Sequence, residues 1–146
     1  MIFTSEQVSN GHPDKICDQI SDAIVTDCLQ NDRCSRVAVK CLIKDYDITI
    51  AGELTSHHKP DYHALVTEVL NRIGLPDVSR YRLHIHISRQ SPDIALGVDK
   101  FGAGDQGMMF GYATDETPEM LPIPYAVATY SLLLLRDYGS DLLLRR

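Results

Sequence analysis

The sequence predicts an α+β fold: a mostly antiparallel sheet with helices on one face. Two segments, 13–29 and 60–73, repeat apolar residues with helical period. Between them, 36–44 and 48–53 alternate with period two across a short turn, and 81–88 alternates again. A hairpin set between helices and followed by a further strand is the element order of an α+β domain.

Each element has its own warrant. Pro13 suits the first helical position, and Ile16, Ile20, Ala23, Ile24 and Cys28 then share a face. In 36–44, Val37, Val39, Cys41 and Ile43 lie on one side, with Ala38, Lys40 and Lys44 on the other. Asp45, Tyr46 and Asp47 make the turn into the second strand. The helix at 60–73 is the clearest element: Tyr62, Leu65, Val66, Val69, Leu70 and Ile73 fit its template, and Gly74 and Pro76 stop it. The strand at 81–88 directs Leu83, Ile85 and Ile87 to the core. A loop over 89–105 follows, then a short strand at 108–113, and a third helix opening at Pro122 or Pro124 and running through Leu135.

The 146 residues suffice for one domain with its own core. The chain is expected to form a single α+β domain over 1–146, with 118–146 as an interface or crossover segment. A net charge of -6 argues against nucleic acid or an anionic membrane as partner. No apolar run approaches the roughly 20 residues of a membrane span. The N-terminus lacks the pattern of a secretory signal, which points to the cytoplasm. Cys17, Cys28, Cys34 and Cys41 show no Cys-x-x-Cys spacing and read as reduced thiols.

Candidate chemistry gathers in four places. His12 and Asp14 open the first helix, where free N–H groups and the dipole favour anions. Asp14, with Glu6 as a further candidate, suits a magnesium ion held by a carboxylate and substrate phosphates. Their bland counterpart is a helix cap beside a surface histidine. Glu53 ends a strand, where a carboxylate meets a ligand ammonium or merely solvent. Gln90 and Ser91 begin the loop toward Asp105, which lies between Gly104 and Gly107 on a glycine-rich turn. The pair His84 and His86 has zinc-ligand character, but no Cys or carboxylate completes a recognisable spacing. Gly102, Gly104 and Gly107 imitate a dinucleotide fingerprint, yet the chain beyond them reads as a strand, so the required helix N-terminus is missing.

Several motifs occur together and in order: Phe3 to Glu6, Gly11 to Ala23, Ala51 to Glu53, Gln90 to Ile94, and Gly102 to Thr117. On these the chain resembles the S-adenosylmethionine synthetase (methionine adenosyltransferase) family. The likeness covers nearly all of this chain but only the N-terminal third or so of a typical synthetase, which has three related α+β units. It implies a transferase joining ATP and methionine, with Mg2+ as cofactor. His12 would contact the triphosphate and stabilise the leaving oxygen. Asp14 would bind magnesium, and Glu6 and Lys15 would border the same site. Glu53, Gln90 and Asp105 match methionine-holding positions, with Ser91 and Asp105 near the nucleotide.

The resemblance further implies sites shared between subunits of a dimeric or higher assembly. The family's phosphate-binding lysines and arginine lie downstream of this chain, so a second, complementary chain is expected to supply the cationic half. Lys40 stands where the family usually has a potassium-binding glutamate, which makes K+ dispensable if its ammonium replaces the ion. The loop from Gly97 to Gly102 is several residues shorter than the family's gate. Two other readings stay open: a non-catalytic subunit docking on a full synthetase, and a small ligand- or metal-binding module. The apolar Leu132 to Leu135 and Leu142 to Leu144 suggest an interface or, equally, completion of this chain's own core.

Overall fold

The computed structural model describes residues 2–75, 77–91 and 107–139, with side chains of the last helix described through Leu135. Cα packing divides the chain into two compact units, 10–106 and a second formed by 1–9 with 107–146.

The first unit holds α1 (Pro13–Asn31), β1 (Arg36–Lys44), β2 (Asp47–Thr55), α2 (Tyr62–Ile73) and β3 (Arg82–Ser88). The hairpin β1–β2 is antiparallel, pairing Lys44 with Asp47 and Arg36 with Thr55. β3 returns parallel to β2, pairing Asp47 with Arg82 and Glu53 with Ser88. The sheet order is β1-β2-β3, and the fold is α+β with a mixed sheet. The parallel return follows from the connection: α2 carries the chain back along the sheet before β3 begins.

Local chemistry sets the boundaries. Asp61 caps α2, accepting the Ala64 N–H at 3.0 Å, so the helix starts at Tyr62 rather than Pro60. Gly74 ends it in the left-handed region at φ 83, with its N–H on the Asn71 carbonyl. Asp45 turns the hairpin at φ 54, a conformation that aspartate tolerates.

The core forms where helix and strand periods meet. Ile16, Ile20, Ile24 and Cys28 recur every four residues of α1 and are buried against Ile48 and Ile50 of β2. Val66, Val69 and Leu70 of α2 complete the cluster. Val37, Val39, Cys41 and Ile43 pack against its margin, as do Leu83 and Ile87. Ile85 departs from expectation: it is 38% exposed and lines an open groove with Leu54, Tyr62 and Ile87. α1 packs on β1 and on α2, so edge strand β3 is covered least.

All four cysteines are free thiols. The Cys17 and Cys41 side chains meet between α1 and β1, where burial pushes the Cys41 thiol up to about 12.

In the second unit, α3 spans Ile123–Gly139. Gln7 donates to the Tyr125 hydroxyl at 3.1 Å and to the Thr129 hydroxyl at 3.3 Å, tying the N-terminal segment to this helix. Ala126 is buried, while Val127, Leu133, Leu134 and Leu135 are exposed. The strand expected at 108–113 does not form. No described strand pairs with it, and a strand without a partner leaves its backbone groups unbonded. Leu142, Leu143 and Leu144 lie outside the described residues. Among the described residues, no helix is long and apolar enough to cross a membrane.

Candidate active site

Two groups of candidate residues emerge in the first unit, on different elements. The first is the α1 N-terminus. His12 is its N-cap, and the ring Nδ1 accepts the Asp14 N–H at 3.3 Å. An accepting Nδ1 puts the proton of the neutral ring on Nε2, leaving a donor there. Gln19 reaches back one turn, donating to the carbonyls of Lys15 at 3.0 Å and Asn10 at 3.3 Å. Those bonds clip the approach segment to the helix and so set where His12 stands. The Asp14 side chain is 93% exposed, with its carboxylate 3.9 Å from His12 Nδ1. Lys15 is half-buried beside it.

The second group lies on the outer face of the sheet, away from α1 and α2. Strand alternation and the register place Ala38, Glu53 and Ser88 in one row across the three strands. The next row is Lys40, Ala51 and His86. Beyond the other side of Glu53, Arg36 and Thr55 pair, and Gln90 follows Ser88 by two residues. The Arg36 Nε–H donates to Gln90 Oε1 at 2.8 Å. Glu53 thus stands between small side chains on its own row. Among the described residues its carboxylate has no hydrogen-bond or ion-pair partner.

Gly52 makes that placement feasible. Its φ is 143, and a Cβ there would sit 2.1 Å from the Ala38 carbonyl oxygen. Only glycine allows β1 and β2 to approach this closely beside Glu53.

The two groups are apart. The Cys17 thiol bonds at Cys41 and the Ile43 backbone, so the His12 end of α1 points toward the far end of β1. Ser35, bonded to the Cys28 carbonyl and to Ser56 at 2.7 Å, marks the opposite end of α1, beside Arg36 and Thr55. Glu53 and Gln90 therefore sit on the other face and toward the other end from His12 and Asp14. From Ala38 to Lys44 a strand covers about 20 Å.

Other candidates resolve differently. His84 Nε2 lies 3.0 Å from Asp47 Oδ1, and Arg82 pairs with the same carboxylate. The His84 bond and then Arg82 hold the Asp47 carboxyl below its usual range. His58 pairs with Asp27 at 2.7 Å, joining the segment after β2 to α1. Among the described residues, no group of three or more His, Cys, Asp or Glu is placed to hold a metal ion. Glu6 is exposed in the second unit. Asp105 and the loop Gly97 to Gly102 lie outside the described residues.

Sequence reading missed Arg36 and Gln19. Arg36 opens a strand and resembles any solvated terminus until the register brings Gln90 to it. Gln19 is one polar residue on a helix, and only the fold of residues 10–12 gives it a partner outside that helix.

The description "S-adenosylmethionine synthetase, N-terminal domain" matches residues 1–92, and "S-adenosylmethionine synthetase, central domain" matches 100–137. A solved structure, an unusual S-adenosylmethionine synthetase from Campylobacter jejuni, is 35% identical, with a TM-score of 0.83. The match covers 97% of this chain and 38% of that chain. With an N-terminal domain profile over residues 1–92 and a central-domain profile behind it, the chain belongs to the S-adenosylmethionine synthetase family.

Proposed function

We propose that the protein supplies part of a methionine adenosyltransferase site, forming S-adenosylmethionine from ATP and methionine with release of phosphate and diphosphate. The observation that carries this reading is Glu53, an unpartnered carboxylate in one row with the small side chains of Ala38 and Ser88, with Gln90 nearby. A carboxylate left open in this way suits the ammonium of an amino acid. Asp105 completes the methionine end by resemblance.

The chemistry asks little proton transfer of the protein. A neutral thioether attacks the C5′ carbon of ATP and expels triphosphate, so the site must align the reactants and stabilise the leaving anion. Alignment alone lowers such a barrier by about 7–11 kcal/mol. His12 presents its Nε2–H as a donor for the departing oxygen, at a helix N-terminus that favours anions. Lys15 and Ser91 take the nucleotide.

Asp14 is the residue that would hold a magnesium ion, with Glu6 a further candidate. One exposed carboxylate fits this ion, which keeps several waters and takes its other ligands from phosphates. A bound magnesium ion would neutralise phosphate charge. Lys40, exposed two residues along β1 from Ala38 on the same face, supports activity that needs no potassium.

The separation of His12 from Glu53 supports a site assembled from two copies, each giving one group. The exposed leucines of α3 support a complementary chain carrying the remaining cations, with 118–146 as the interface or crossover segment of one α+β domain. The family's setting points to the cytosol. The test is the mass and activity of the native complex purified through this chain. A second polypeptide, with S-adenosylmethionine formed only in the complex, is the expected result. Copies of this chain alone, with no product, would overturn the catalytic reading in favour of a binding subunit.

A further inference from the structure

His12, Asp14 and Lys15 all lie at the first turn of α1, and helix ends fray. The cap there is slight: the bond from the Asp14 N–H to the His12 ring is 3.3 Å, longer than most. The His12 carbonyl accepts the Ile16 N–H at 2.9 Å, the first bond of the helix itself. Gln19 adds a restraint of another kind. Helical side chains lean toward the N-terminus, which sets Gln19 over the turn of Lys15. Its amide nitrogen donates to the Lys15 carbonyl at 3.0 Å and, with its other hydrogen, to the Asn10 carbonyl at 3.3 Å. Gln19 lies about two turns into the helix. Asn10 reaches it because the chain ahead of the cap doubles back beside the first turn, through a turn at residues 10–11. Gly11 gives that reversal little stiffness of its own, so the bond at Asn10 restrains an otherwise soft link.

We propose that Gln19 is a positioning residue for the transfer step: its bridge between Asn10 and Lys15 closes over the first turn of α1 and keeps His12 presented to the departing oxygen. The bridge acts together with the ring cap and the first helical bond, and removing it leaves both in place. What is lost is the restraint on the turn from the Asn10 side, so His12 spends less time where its Nε2–H meets the oxygen. That oxygen gains its charge in the transition state, so the cost falls on kcat rather than on the binding of methionine. The inference deepens the reading of His12 as donor to the leaving group and rests on it, but the bridge has a signature of its own.

That signature is local backbone motion, read from the 15N heteronuclear NOE of the protein. Gln19→Met and Gln19→Glu match the side chain in length and remove its donors, one without and one with a charge. In the wild type, Asn10, Gly11 and His12 should be as rigid as the interior of α1. In either variant the NOE of Gly11 and His12 should fall well below that of Ile20 and Ile24, which should keep their values. An NOE at Gly11 and His12 that ignores the substitution overturns the bridge. Retained dispersion of the backbone amide spectrum shows that the variants fold.

Kinetics of the native complex give the second readout. Gln19→Met should lower kcat by about ten- to a hundredfold and leave KM for methionine within about twofold of the wild type. A residue that merely supports the fold would instead lower the yield or stability of the complex and leave the kcat of the folded enzyme unchanged. An active wild type whose kcat survives Gln19→Met therefore overturns the task given to Gln19 and spares the catalytic reading. A wild-type complex without turnover overturns both, even where the NOE pattern shows the bridge itself to be present.

Discussion

On the covered face of the sheet, Ile48 and Ile50 are fully buried beneath the apolar sides of α1 and α2. On the outer face, Glu53 stands between Ala38 and Ser88, with Lys40 and His86 one row away. The same three strands build both, and the period-two alternation of β2 sends alternate residues to each. The difference shows how the fold divides its tasks. One face yields the free energy of burial, and the other is free to hold an unpaired carboxylate because it is not asked to contribute to the core.

Gly52 belongs to both faces, and changing it should have the largest effect. Gly52→Ala puts a Cβ 2.1 Å from the Ala38 oxygen at a φ that side chains rarely adopt. Urea unfolding should show a loss above about 4 kcal/mol, or no folded protein. A loss below 1 kcal/mol would mean the β1–β2 approach is not rigid. On the covered face, Ile50→Ala should cost roughly 3 kcal/mol by the same measurement. Leu42→Ala, on the outer face at 67% exposure, should change stability by less than about 0.5 kcal/mol. Similar values for the two would erase the contrast.

The outer face should answer to activity instead. Glu53→Gln removes the charge offered to an ammonium, a bond of about 1.5–3 kcal/mol, and should raise KM for methionine ten- to a hundredfold. Its unfolding free energy should stay near that of the wild type. A variant that loses stability but keeps its KM would place Glu53 in the architecture.

The smallest effect concerns the end of α1. Asp32 accepts the His57 and Cys34 N–H groups and the Ser56 hydroxyl, and these bonds hold its carboxyl below the usual range. A lowered folded-state value means the contribution is present above the unfolded carboxyl's midpoint, about 3.9, and is lost as pH falls through the folded one. Asp32→Asn should flatten the acid limb of stability measured from pH 6 to pH 2 without steepening it elsewhere. An unchanged acid limb would assign that limb to other carboxylates, with Asp47 the next to test.

Much of the fold was legible because it depends on near neighbours in the chain. The four-residue recurrence of Ile16, Ile20, Ile24 and Cys28 announces a helix face, and all four are buried. Val37, Val39, Cys41 and Ile43 announce the strand that packs on it. Gly74 stops α2 as read, since only its local φ is at issue. The strand expected at 108–113 failed because a strand needs a partner, which its own residues cannot specify. Ile85 failed similarly: alternation gave its face, but the placement of the helices left the groove beside it open.

The site divides along the same line. Sequence alone determined the residue types: a histidine and an aspartate at a helix start, a glutamate after glycine at a strand end, and the ordered motifs that gave the family. Tertiary structure decided their company. It turned Arg36 onto Gln90 across β2, set Asp47 beside His84 and Arg82, and put His12 and Glu53 on opposite faces of the sheet. Those relations join residues tens of positions apart, and their geometry comes from register and packing. Periodicity within one segment fixes which way a side chain faces, but what it meets depends on where another segment lies.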